Sequence, residues 1–288
     1  MRFVRYLLGI YGPSAVELLG LSEAADHVLV DAGLITAAPG NLSIKVSVGP
    51  CVHSMQDLKL FTKLILTHPT LPYEPTTILP YWTEVPAPTR RLRVAVISTD
   101  GVVDPHPPIK RALLETSAQL RAAGHEVVEF QKPFDFWAAA LVTWALYFQT
   151  GAREHHDFLA LSNEPPIPQF AYNHGTFKIK ELTVPELFEL NGQQAAFKLA
   201  FQEAFDAQQI DVILCPCAPM VGVPHDFPLW WGYTTVWNML DYPSVVMPVK
   251  NFTINAAQDA KDGSYEPREN PFDGRNWELC ECIERISN

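Results

Sequence analysis

No stretch of the chain approaches the roughly 20 consecutive apolar residues of a membrane-spanning helix, and polar residues interrupt every hydrophobic run. Positive charge is scarce too. Lys and Arg number 21 against 32 Asp and Glu, a formal net charge of −11 at pH 7, and no local basic cluster offsets it. A field of that sign repels nucleic acid and anionic membrane, so neither is an expected partner. Cysteines are few and odd in number: Cys51, Cys215, Cys217, Cys280 and Cys282. They suit a reducing compartment better than a disulfide framework. The N-terminal MRFVRYLLGIYG has too short an apolar centre for a secretory signal, and Glu17 and Glu23 follow soon after. The sequons at Asn41 and Asn251 therefore lack secretory support, and a cytoplasmic location is expected. Internal repeats and low-complexity segments are missing as well.

What is present is the composition of a globular protein, 48% hydrophobic and 18% charged, in a length that allows one large α/β domain or two small ones. The most readable stretch is Arg91 to Phe130. Leu92 to Ile97 is a short β-branched run of the kind that forms a buried parallel strand. Thr99, Asp100 and Gly101 break it, and Pro105, Pro107 and Pro108 keep the next residues extended. From Ile109 the pattern turns helical, with Ile109, Ala112, Leu113, Thr116 and Leu120 on one face and Lys110, Arg111, Glu115 and Arg121 on the other. Gly124 is the expected left-handed stop, and His125 to Phe130 reads as a second strand. Strand, helix and strand of this length predict a right-handed βαβ unit.

Elsewhere the punctuation is less complete. Residues 1–47 are irregular, with a candidate strand at Val28 to Leu34 and a turn at Ala37 to Asn41. Ser54, with Asp57 three residues on, has capping-box spacing ahead of a helix whose apolar face is Met55, Leu58, Phe61, Thr62, Ile65 and Leu66, ended by Pro69. Residues 69–90 are a proline-rich connection. Phe134 to Gly151 is an aromatic-rich helix, read first as core packing. A helix is expected over Val184 to Gln208, a strand over Asp211 to Cys215, a loop over CPCAPMVGVPHD, and a further buried strand over Ser244 to Val249. From Asn251 onward the chain turns polar, and few core residues are expected there.

Four of these blocks resemble the amidase signature family, most closely its fungal acetamidase-like members. They are LSIKVSVGPCVHSMQDLKLFTKLIL, VAVISTDGVVDPHPPIKRAL with its D-G-V-V-x-P-H-P-P loop, DVILCPCAPMVGVPHD, and YTTVWNMLDYPSVVMPV. The resemblance implies an α/β fold with a mixed central sheet covered by helices, forming a single domain over residues 1–288. It also implies hydrolysis of a small carboxamide through a serine acyl-enzyme, with no cofactor. In the family a lysine acts through a bridging serine on a nucleophilic serine, and backbone amides of a Gly/Ser-rich loop hold the oxyanion, as acyl transfer requires.

This chain departs from that pattern. Of the family's R-x-P and N-G-x-Y-G run only Leu8-Gly9-Ile10-Tyr11-Gly12 is present, with Arg2 at the arginine. That registration puts the nucleophile ahead of Met1, and the bridging serine and lysine further upstream. No Gly-Gly-Ser-Ser-Gly-Gly run occurs, and the family's later G-L-Q-x-x-G-R segment has no counterpart after CECIERISN. The expectation is the central and later part of an amidase, short at both ends, with no catalytic residue in this chain. The rival is a non-catalytic amidase-like protein, either a pseudoenzyme acting as a binding module or a truncated gene product with no activity. A small-molecule amide is the expected ligand, and a homodimer is left open.

Substitute chemistry finds weak support. Ser43 and Ser47 flank Lys45, but both serines match non-catalytic positions of the family pattern. Asp104 with His106, and His225 with Asp226, are expected to shape proline-rich turns rather than act as acid–base pairs. His155, His156 and Asp157 have metal-ligand chemistry without metal-ligand spacing, and Cys215/Cys217 with Cys280/Cys282 lack the usual zinc spacing, so no metal is expected. The aromatic stretch Trp137 to Phe148 and the loop Cys215 to Asp226 are candidate walls of a substrate channel.

Overall fold

Alternation along one short strand sorts the core into two layers. In the computed structural model, which describes residues 7–11, 38, 40–45, 49–67, 82, 84, 88–227, 229–249 and 251–280, the first buried strand is β2 (Arg93–Val96). Leu92, Val94 and Val96 pack on one side with Val212, Leu214 and Leu113. Ala95 and Ile97 face the other side, together with Ile213 and Cys215. Both faces are therefore covered, which is why Val94 to Ile97 and Val212 to Cys215 read as apolar runs.

The sheet contains β1 (Leu7–Tyr11), β2, β3 (Glu126–Glu129), β4 (Val212–Pro216) and β5 (Ser244–Pro248), in the order β3-β2-β4-β1-β5. β2 is parallel to both β3 and β4, while β1 is antiparallel to β4 and β5. The sheet is thus mixed, as expected. β1 has no clear sequence signal: it falls within the irregular N-terminal stretch, and five residues with a central glycine give little periodicity. The Val28 to Leu34 candidate strand and most of the 69–90 connection lie outside the described residues.

Eight helices are found among the described residues: α1 (Met55–Thr67), α2 (Pro107–Ala122), α3 (Phe136–Tyr147), α4 (Arg153–Ser162), α5 (Pro168–Thr176), α6 (Val184–Ala207), α7 (Gly232–Leu240) and α8 (Asp273–Leu279). α2 joins β2 to β3 as the βαβ pattern predicts. Its Ile109, Ala112 and Leu113 are buried while Glu115 and Arg121 are exposed. Gly124 has φ +93°, the left-handed stop expected of it. The Ser54 cap is present, its hydroxyl accepting the Asp57 amide at 3.1 Å and donating to the Asp57 carboxylate at 2.8 Å. α6 starts with a full capping box between Thr183 and Glu186, with Pro185 in its first turn.

On one face of the sheet α3, α6 and α7 enclose an aromatic core that includes Phe136, Trp144, Phe201, Tyr233 and Trp237. The core reading of the aromatic helix is correct. Two other readings are not. β5 is an edge strand with Val246 45% exposed, so it is not buried. The polar stretch after Asn251 contributes Phe252, Phe272 and Trp277 to the interior, and buries Asp259, Asp273 and Asn276 beside them.

Candidate functional site

Ligands of open α/β sheets sit in the crevice beyond the carboxyl ends of the parallel strands. Here that place is the loop from Ser98 to His106, which follows β2. Asp100 organises it. Its carboxylate is 2% exposed and accepts the amides of Val102 and Val103 at 2.8 and 2.9 Å, and its other oxygen accepts the indole N–H of Trp230. The Tyr233 hydroxyl closes the same turn, accepting the Asp100 amide at 3.2 Å and donating to the Val103 carbonyl at 2.7 Å. Burial pushes the Asp100 carboxyl up to about 6 against the pull of those donors, and burial also raises Tyr233 well above an ordinary phenol. Trp230 leaves no room beside it. A Cβ on Gly232 would lie 2.2 Å from its ring, so glycine is required where α7 begins.

A cleft of about 410 Å³ opens beside this loop, lined by Gly101, Val102, Asp135, Trp137, Arg268, Glu269, Asn270 and Pro271. Asp135 is fixed as the N-cap of α3, accepting the Trp137 amide at 3.1 Å. Trp137 stacks on Trp230 with ring centroids 5.5 Å apart, which carries the rigidity of the Asp100 turn into the cleft wall. The Asn270 side chain donates to the Val102 carbonyl at 2.7 Å and accepts the Phe272 and Asp273 amides. Lys132 approaches from the side, donating to the Thr99 carbonyl at 2.9 Å, and burial lowers the affinity of its amine for a proton. The cleft thus has an apolar indole wall and a polar rim carrying both charges.

The loop is locked from behind by the C-terminal segment. Asp104 pairs with Lys110 and with Arg268 at 3.2 Å, and its own amide donates to Asp273 at 2.8 Å. Burial opposes ionisation of Asp104, but the two cations outweigh it and hold the carboxyl below its ordinary value. His106, 1% exposed, bonds through Nε2 to the Asn276 carbonyl at 2.7 Å, and burial pulls its imidazole down to about 4. Asp104 and His106 therefore each anchor the turn to α8 and its approach. Sequence reasoning expects a structural role for them through nearby partners. Lys110 is such a partner of Asp104, but the bonds to Asp273 and Asn276 reach across about 170 residues.

The other candidates are dispersed. Ser43 lies in a turn at residues 41–45, where its hydroxyl accepts from Gln149 at 3.0 Å and its carbonyl accepts from Gln194 at 3.0 Å. Lys45 is exposed, and Ser47 lies outside the described residues. His225 and Asp226 pair at 3.0 Å in an exposed turn. Cys215 belongs to the central core and Cys280 to a separate cluster with Trp277, while Cys282 lies outside the described residues. No group of three potential metal ligands forms among the described residues, His155, His156 and Asp157 included. Of the two expected channel walls, Trp137 lines the cleft and the 215–226 loop does not. Sequence reasoning misses Asp100, Trp230 and Asn270. Only Asp100 has a local signal, an Asx residue ahead of a glycine turn.

The sequence profile of the family described as Amidase matches residues 31–263. The chain belongs to the amidase family. An amidase of Gibberella zeae is 42% identical over 276 residues, covering 93% of this chain and 50% of its own length. The acetamidase of Emericella nidulans is 29% identical over 250 residues, covering 82% of this chain and 45% of its own. Among solved structures, a fatty acid amide hydrolase superposes with TM-score 0.79 at 22% identity, over 98% of this chain and 47% of its own. That places the chain in the amidase signature fold. The chain spans about half the length of the curated relatives it matches. In this chain the D-G-V-V-x-P-H-P-P block now has a physical meaning. Asp100 folds the turn, the prolines open α2, and His106 ties the loop to α8.

Proposed function

We propose that this chain forms one amidase-signature unit that builds the substrate cleft of a hydrolase for small carboxamides, without supplying the reacting groups. In the full reaction a serine oxygen adds to the amide carbonyl and ammonia departs as the acyl-enzyme forms. Water then releases the carboxylate and returns the proton to the serine. The family assignment and the cleft at the carboxyl end of β2 support the substrate class. The state of Ser43 carries the second half of the proposal. Its hydroxyl is engaged by Gln149, and the nearby Lys45 is exposed. A nucleophilic serine needs a base within hydrogen-bond reach, and this one has an amide donor instead.

The alternative, a non-catalytic amidase-like binding protein, rests on the same observation and differs only in what a relative of full length would do. A cytoplasmic location accords with the Asn41 sequon, whose side-chain nitrogen is engaged by the Leu146 carbonyl at 2.9 Å. No helix among the described residues is long and apolar enough to cross a membrane. The net charge argues against nucleic acid, and a homodimer is compatible with the edge at β5.

The test is to incubate the purified chain with acetamide, benzamide and a longer aliphatic amide, and separately with a serine-directed fluorophosphonate. Neither ammonia above background nor a labelled serine is expected. Loss of nucleophile and base together removes about a millionfold of rate in the best-characterised serine hydrolase. Turnover abolished by Ser43→Ala or Ser47→Ala would sink the proposal, and labelling of one serine would sink it as well.

A further inference from the structure

Three histidines meet where α4 and α5 pack on the end of α3. His174 lies 3.8 Å from Phe170 and 4.6 Å from Phe148, measured between ring centroids. His155 lies 5.0 Å from Phe148, and His156 lies 6.1 Å from His174. The group is aromatic and poor in acceptors. His155 Nδ1 and His174 Nε2 are buried without a hydrogen-bond partner. A neutral imidazole tolerates that as its unprotonated nitrogen, whereas an imidazolium carries a donor on both nitrogens and would leave one unsatisfied.

The charged surroundings give little relief. Glu154, next to His155, is the carboxylate on α4 that favours its cation, and it is bonded to Thr150. The other carboxylate of the α4 sequence near the group, Asp157, acts on Arg153. Arg153 itself pairs outward with Glu181. The sequence of α5, PQFAYNHGT, contains no acid at all, and the end of α3 presents Tyr147 and Phe148. His156 works against charging His155, and both work against charging His174.

The cluster is joined to the cleft through Phe177. This residue caps α5, its amide donating to the Asn173 carbonyl at 2.9 Å. Its ring stacks on Trp144 at 4.7 Å and 7° and lies 5.7 Å from Trp137, the apolar wall of the cleft. We propose that the His155–His156–His174 cluster is an acid-released clasp, in which protonation parts α4 and α5 from the end of α3 and frees Phe177 from the stack behind the cleft. Burial pulls His174 down to about 4 and lowers His155 too, in keeping with that geometry. A histidine held below its free value near 6.5 keeps its contribution above that value. It loses it as pH falls from about 6.5 toward about 4. The clasp does not depend on amide turnover and stands whether or not the chain is catalytic.

Hydrogen exchange on the full chain at pH 6.5 and pH 5, corrected for the intrinsic pH dependence of exchange, reads the clasp directly. Protection over residues 153–177 should fall by at least about tenfold, since pH 5 lies about 1.5 units below the free value and a single imidazole then weights the open form roughly 15 times more than at pH 6.5. Peptides from β2 and β4 should keep their protection. In the His155→Phe/His174→Phe chain the 153–177 segment should keep it as well. An unchanged 153–177 segment, an equal fall in the double variant, or a fall shared by every peptide would each overturn the clasp. Should the double variant fail to fold, the wild-type imidazole resonances decide instead: His174 titrating near 4 supports the clasp, and titration near 6.5 refutes it.

Discussion

Asp100 shows how much a single buried carboxylate can organise. It satisfies two backbone amides and one indole at a cost in desolvation that pushes its carboxyl up to about 6. A carboxyl raised above its free value contributes stability that is fully present below about 3.8. The contribution is lost as pH rises through about 6, because the folded state then holds an unfavoured charge. Asp100→Asn removes that titration while keeping an acceptor for the turn amides, but it presents an amide donor to Trp230. We expect the variant to be less stable than wild type by about 1–3 kcal/mol at pH 4.5, the usual penalty for an unsatisfied buried group. The deficit should shrink toward pH 7. Urea midpoints at the two pH values measure it, and a deficit that stays constant or grows would mean the carboxyl is not neutralised by burial.

At the level of elements, sequence and structure agree where local and tertiary signals coincide. β2, α2 and β3 are legible because a buried apolar run, a proline-opened helix and a glycine stop lie within about forty residues and point the same way. α6 is legible through Pro185 and its apolar content. α4 and α5 escape notice because α4 buries no residue fully and α5 is nine residues long, so neither carries a strong apolar stripe. α8 escapes for a different reason. Its buried residues include Asp273 and Asn276, which polarity alone assigns to the surface. The site is less legible than the fold, since Asp100, Asp104 and His106 each have, besides any near neighbours, a tertiary partner 130 to 172 residues away. The stop at Gly124 allows a clean test of the element reading. Space for a side chain is open there, with no atom beyond the adjoining residues within 4 Å of where a Cβ would stand, so the backbone conformation is what resists substitution. Gly124→Val should cost about 1–2 kcal/mol, the penalty of a left-handed residue with a β-branch, and Gly124→Asn should cost less. Equal denaturant midpoints for Val, Asn and wild type would show that the helix does not need this stop.

For the whole molecule the exposed sheet edge matters more than any single contact. Among the described residues β5 pairs with β1 on one side and with no strand on the other. Its residues Ser244, Val246 and Pro248 are exposed, and Val246 shows 45% of its surface. Natural sheets protect such edges with charge, bulges or proline, and here only Pro248 at the strand's end does so. The net charge of −11 opposes association at a distance but is screened beyond about 8 Å in physiological salt. Once two edges are within that range, backbone pairing and the Val246 side chains favour contact. We therefore expect the purified chain to self-associate increasingly as salt is raised. Val246→Lys should restore the monomer, because the substituted ammonium meets its own copy across any paired edge. The exposed position should keep the change in unfolding free energy within about 0.5 kcal/mol. Light scattering coupled to size exclusion at low and high salt reads both chains. If Val246→Lys associates as strongly as wild type, the interface lies elsewhere than β5. A salt-independent monomer in the wild type would remove the edge as a source of association altogether.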